Sequence, residues 1–175
     1  SSAASDVYKR QDKNHKKRRS KRNKTINGVH NDMYEAMPYP IIIDSGAADC
    51  VLPTGWCAQA GLTKAEVNKS YSAANGSTIT NKGEKQISMV TRDGQWKSMK
   101  VQVCDVNRPL ASVHKICEAG HPVVFNPSWD QRGSFILNRD SGEKTWMTAK
   151  DGVFVLETIV APAKYQSKPG FTRQG

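Results

Sequence analysis

From Tyr39 to about residue 160, apolar residues gather in short runs broken by turn dipeptides, a texture that predicts strands rather than long helices. "YPIII" (39–43) reads as a buried strand. "TGWCAQAGL" (54–62) fits one or two helical turns closed by Gly61. "SYSAANGSTIT" (70–80) predicts a hairpin with Asn75-Gly76 at its tip, because both residues tolerate positive φ. "EKQISMVT" and "WKSMKVQVC" flank Asp93-Gly94 as a second hairpin, with Ile87 and Met89 on one strand's apolar face and Met99, Val101 and Val103 on the other's.

Beyond Pro109 the period changes. In "LASVHKICEAG" (110–120), Leu110, Val113 and Ile116 or Cys117 recur at helical spacing before Gly120. "PVVF", "GSFILN", "EKTWM" and "GVFVLET" then alternate with turn signals at 139–142 and at Asp151-Gly152, a β-meander. The fold expected is all-β with one short helix near the centre. Trp96, Trp129 and Trp146 are expected in the core or at an interface.

The chain has 175 residues and a net charge of +10. That suggests a nucleic-acid binder until it is divided along the chain. Residues 1–32 hold ten Lys/Arg against Asp6, Asp12 and Asp32, a charge of +7, which leaves +3 for the other 143 residues. "KNHKKRRSKRNK" (13–24) repels itself and buries nothing, so a disordered tail over 1–38 is expected, with 1–11 resembling an assembly scar. The block reads as a linker, a nuclear address or an arm making weak non-specific contact with nucleic acid; no aromatic residue is interleaved for base stacking. One domain over 39–160 and a flexible end over 161–175 complete the expected organisation. No run approaches the ~18 apolar residues of a membrane span, and no apolar secretion segment opens the chain, so the expectation is an intracellular protein of cytoplasm or nucleus, away from membranes.

Cys50, Cys57, Cys104 and Cys117 form no C-x-x-C pair, so they are expected as thiols. His114, Cys117 and His121, with Cys104 as a fourth, are spaced more loosely than paired metal ligands; neither metal nor cofactor is expected.

The chemistry concentrates in "IIIDSGAAD" (41–49). An aspartate closing a buried apolar strand, followed by Ser-Gly-Ala, holds a carboxylate in a tight loop where an isolated charge is disfavoured. Alone, such an aspartate also fits a turn or a helix N-cap. A functional reason appears if two such loops meet, since paired carboxylates share a proton, one activating water and the other donating to a carbonyl. The chain carries a single Asp-Ser-Gly, so the second carboxylate would come from a second copy. Asp49 reads as a loop or cap residue.

"IIIDSGAADCVLP", "SAANGSTITNKGEKQI" and "DVNRPLASVHKICEAGHPVVF", in that order, resemble the retropepsin-type aspartic protease domain of copia-like retrotransposon polyproteins over about residues 39–160. The resemblance implies a closed acid-protease barrel with a C-terminal meander, active as a homodimer that hydrolyses extended peptide or polyprotein substrates. It further implies that Asp44 is catalytic, that Ser45 hydrogen-bonds across the subunit boundary, and that Gly46 and Ala47 face substrate. Ala74, Asn75, Gly76 and Ser77 would form a flap closing over the peptide. The sequence departs from the family where two apolar residues and a glycine precede the late helix, having Leu110-Ala111-Ser112 instead. The other readings are a cellular retropepsin-like protein of the DNA-damage-inducible shuttle type and an inactive protease-like domain with a basic nucleic-acid-binding arm.

Overall fold

A computed structural model describes residues 38–58, 60–65 and 69–161. The basic block, the proposed assembly scar and the C-terminal end lie outside these residues. Ten strands and one short α-helix make up the described chain: β1 (Pro38–Asp44), β2 (Val51–Pro53), β3 (Ser70–Ser72), β4 (Thr78–Thr91), β5 (Trp96–Cys104), β6 (Leu110–Ser112), α1 (Val113–Glu118), β7 (Val123–Val124), β8 (Ser134–Leu137), β9 (Lys144–Lys150) and β10 (Val153–Val160). No helix among the described residues is long and apolar enough to cross a membrane.

The strands are ordered β3-β4-β5-β2-β6-β1-β10-β9-β8-β7, and β10 also pairs with β4. β1 lies between β6, parallel to it, and β10, antiparallel to it. Its isoleucines alternate as a two-residue period requires, Ile41 and Ile43 buried and Ile42 only partly so. They join Leu52, Ile87, Met89, Val101, Leu156 and Val160 in one core.

The two predicted hairpins share a strand. β4 runs 14 residues, pairing its start with β3, its middle with β5 and its end with β10. The changeover from β3 to β5 falls at a register shift between Asn81 and Gly83. Gly83 has φ +139°, and a Cβ there would lie 2.5 Å from the Thr63 carbonyl, so the close crossing of chain 63 over β4 demands glycine.

Two expectations are corrected. The described residues of 54–62 form turns, not the expected helix: Gly55 and Cys57 both have positive φ, which a right-handed helix excludes. The carbonyls of Trp56 and Cys57 instead accept hydrogen bonds from Lys85 Nζ at 3.1 and 3.0 Å. The late helix begins at Val113, since Leu110–Ser112 pair with β1 and remain extended; it closes as expected at Gly120, φ +92°.

The meander β7–β10 follows the expected pattern, with a tight turn at Asp151-Gly152, both at positive φ. Phe154 packs against the core, but the tryptophans do not enter it. Trp129 and Trp146 are 81 and 45 % exposed, and Trp96 on β5 is 36 % exposed.

Leu52, 1 % exposed on β2, tests the core directly. Leu52→Ala is expected to cost about 2–5 kcal/mol of unfolding free energy, read as a lower urea midpoint at unchanged slope.

Candidate functional site

Asp44 is the last residue of β1, opposite Ser112 of β6 in a parallel pair. The chain turns immediately: the Gly46 amide donates to Asp44 Oδ1 at 2.7 Å. A Cβ on Gly46 would stand 3.3 Å from that oxygen, so glycine gives the carboxylate room to fold back over the turn. Among the described residues Asp44 has no ion pair, which leaves its other oxygen available to a ligand. Ser45 and Gly46 are exposed and Ala47 half-buried, so the loop presents its polar edge outward.

The loop is braced from beneath by β6, which inserts between β1 and β2, the two strands that enter and leave it. Ser112, fully buried, supplies the brace. Its hydroxyl donates to the Ala47 carbonyl at 2.6 Å and accepts from the Lys115 amide at 3.2 Å, capping α1, while its own amide donates to Cys50 Sγ at 3.3 Å. Ser112 thus fixes loop, strand and helix together. Burial pushes the Cys50 thiol pKa up, which keeps it a neutral acceptor.

The hairpin of β3 and β4 carries the other expected site residues. Ala73 and Ser77 close its tip, the Ala73 amide donating to the Ser77 carbonyl at 2.8 Å, and the Gly76 amide donates to the Ala73 carbonyl at 2.8 Å. Asn75 Oδ1 accepts from both the amide and the hydroxyl of Ser77 at 3.0 and 2.7 Å. Ala74, Asn75, Gly76 and Ser77 are all exposed, and among the described residues no hydrogen bond joins them to residues 44–47.

Loop and hairpin are connected elsewhere, through Asp49. Its Oδ2 accepts from Tyr71 Oη at 2.9 Å and Lys69 Nζ at 3.2 Å at the foot of the hairpin, and its Oδ1 pairs with Lys115 Nζ on α1 at 3.4 Å. Burial alone would raise the Asp49 pKa; the hydrogen bonds from Tyr71 and Lys69 and the charges of Lys69 and Lys115 outweigh it, and the net shift is downward. The same burial and the same carboxylate drive the Tyr71 phenol up. Read from sequence as a loop or cap residue, Asp49 is a three-way tie. Nothing in the local pattern marks it, because its partners lie 20 or more residues away.

A cavity of about 440 Å³ lies behind the loop. Ile41, Ile43, Met99, Ile116 and Leu156 line its apolar part, and Asp49, Lys69 and Lys115 stand at its polar edge; Asp44, Ser45 and the hairpin tip do not line it. Among the described residues no three His, Cys, Asp or Glu side chains gather as a metal site. Cys104 is fully buried and Cys117 exposed, so the sequence cluster at 104–121 is not assembled.

Two variants test this geometry. Ser112→Ala is expected to lose about 1–3 kcal/mol, since the cap and the Ala47 tie disappear together, with faster amide exchange across residues 45–50. Asp49, its pKa depressed by folding, contributes stability that is present above its unfolded value near 3.8 and is lost as pH falls through its lower folded value. Asp49→Asn is therefore expected to flatten the acid limb of a stability-versus-pH curve below about pH 4.

No family model matches the chain, and neither the curated proteins nor the solved structures include a match.

Proposed function

We propose that this chain is a retropepsin-type aspartic endopeptidase, active as a homodimer, that hydrolyses extended peptides, in the first place its own polyprotein. The observation that carries the reading is Asp44: a carboxylate at the end of a core strand, turned back by Gly46 and free of any ion pair among the described residues, on a loop braced by an inserted third strand. Asp49, five residues on, is tied by two lysines and a tyrosine, whereas among the described residues Asp44 carries only the bond from the Gly46 amide. The exposed hairpin of small residues at 74–77 supports the same reading, since such a tip can close over a bound chain.

The closed acid-protease barrel belongs to this reading, and it is supported by pairings that run β4-β5-β2-β6-β1-β10 and return from β10 to β4. An intracellular setting, in cytoplasm or nucleus, follows from the polyprotein context.

In the mechanism, Asp44 of one protomer and its symmetry mate share a proton across the dimer axis. The ionised member takes a proton from water as the water attacks the scissile carbonyl; the protonated member donates to the carbonyl oxygen. The gem-diol then collapses: the newly protonated carboxyl gives its proton to the leaving nitrogen, the other carboxylate takes one from a gem-diol hydroxyl, the C–N bond breaks to leave an acid and an amine, and the pair again holds a single proton. Gly46 and Ala47 leave backbone groups for the substrate chain, and Ser45 reaches the neighbouring loop.

Asp44→Asn preserves shape and removes the shared-proton carboxylate, so peptide cleavage is expected to fall at least about 10²-fold with the unfolding midpoint little changed. Undiminished cleavage by this variant would refute the assignment. Specific activity of the wild type is expected to rise with protein concentration through the monomer–dimer range, with a bell-shaped pH profile centred on the acid side, because only the dimer holds the pair.

A further inference from the structure

Resting on the protease reading, we propose that the cavity and the Asp49 cluster form a substrate subsite selecting a bulky apolar side chain and an acidic side chain two positions apart. The cavity edge is set by the loop of Asp44 on one side, through Asp49 and Cys50, and by the foot of the hairpin on the other, through Lys69. A peptide held between loop and hairpin in extended form advances about 3.3 Å per residue and presents alternate side chains to one face. Asp49 and Cys50, which line the cavity, belong to the same loop as Asp44, so a peptide lying along that loop passes the cavity edge.

The charge at the edge decides what it accepts. Asp49 is saturated by Tyr71, Lys69 and Lys115, and its side chain is only 11 % exposed, so it offers little to a basic residue. Lys69 and Lys115 share this one carboxylate and are 42 and 46 % exposed, each ammonium retaining donors. Of the other charged residues lining the cavity, Lys100 pairs with Glu84, and Lys97 pairs with Glu143 just outside it. The edge thus carries one excess positive charge beside an apolar recess of about 440 Å³, large enough for a Leu or Phe side chain. A carboxylate in the substrate balances that charge; an ammonium is repelled by it.

The test uses the full chain carrying Asp44→Asn, so that peptides bind without turnover, with fluorescence anisotropy of labelled peptides holding Leu-x-Glu, Leu-x-Gln, Leu-x-Lys or Ala-x-Glu in both orders. Expected is tightest binding of the Leu-x-Glu form, weaker by roughly 3- to 10-fold for Gln and further for Lys, the gap narrowing at high salt. Replacing Leu by Ala is expected to weaken binding by a similar factor. Residues 13–24 attract acidic peptides equally in every variant, so the deciding measurement is the change on substitution. Lys69→Gln with Lys115→Gln should abolish the Glu-over-Gln preference, while Asp49→Asn, which bares both ammoniums, should increase it. Either variant suffices if the other fails to fold. A preference unaltered by these substitutions, or equal binding of the Glu and Lys peptides, overturns the subsite. Wild-type cleavage of the same peptides is read separately: cleavage without acidic preference sinks the subsite and leaves the protease reading standing, whereas charge-selective binding without cleavage by wild type does the reverse.

Discussion

The site depends on how a short strand is buried. β6 is three residues long and lies between β1 and β2, so the loop those strands bracket has to pass over its end. Ser112 stands at that end with no exposure to water, where each polar atom must find a partner inside the protein. It finds them in the Ala47 carbonyl, the Lys115 amide and the Cys50 sulfur, and each bond fixes a different segment. A glycine here could supply only the amide bond. The serine transfers the rigidity of the sheet to the loop, which is what a carboxylate needs to be held in one place without a counter-ion.

The same economy governs the other buried polar groups. Lys85, 8 % exposed in the middle of β4, places its ammonium on the Trp56 and Cys57 carbonyls. Those carbonyls converge because Gly55 and Cys57 depart from helical backbone, so one buried cation and one irregular turn explain each other. Lys97 is equally buried, and desolvation lowers its pKa against the pull of Glu143 at 2.9 Å. With Gln95, which bonds the Lys144 carbonyl and Thr145, this pair ties the β4–β5 turn to the meander.

Asp44 and Asp49 show two fates of a carboxylate on one loop. Asp49 is neutralised and bonded from three directions, which joins loop, hairpin and helix but leaves it unsuited to proton transfer. Among the described residues Asp44 accepts one backbone bond and pairs with no cation. The division sets a carboxylate tied into the fold at Asp49 apart from one that, among the described residues, is bonded only to the Gly46 amide at Asp44.

The sequence by itself determined the elements whose signal is local. The strand ending at Asp44, the hairpin at Asn75-Gly76, the Asp93-Gly94 and Asp151-Gly152 turns and the meander are written in two-residue alternation and in residues that accept positive φ. It also drew attention to Asp44, because an acid closing an isoleucine strand is conspicuous without any partner. Only the tertiary structure decided that the described residues of 54–62 turn instead of forming a helix and that 110–112 is a strand, since the first turns on Lys85 and the second on β1, each many residues away. The roles of Ser112 and Asp49 were equally hidden. Apart from the local cap that Ser112 gives α1, these roles rest on contacts spanning 20 to 66 residues of chain, and propensity and period carry no information at that range.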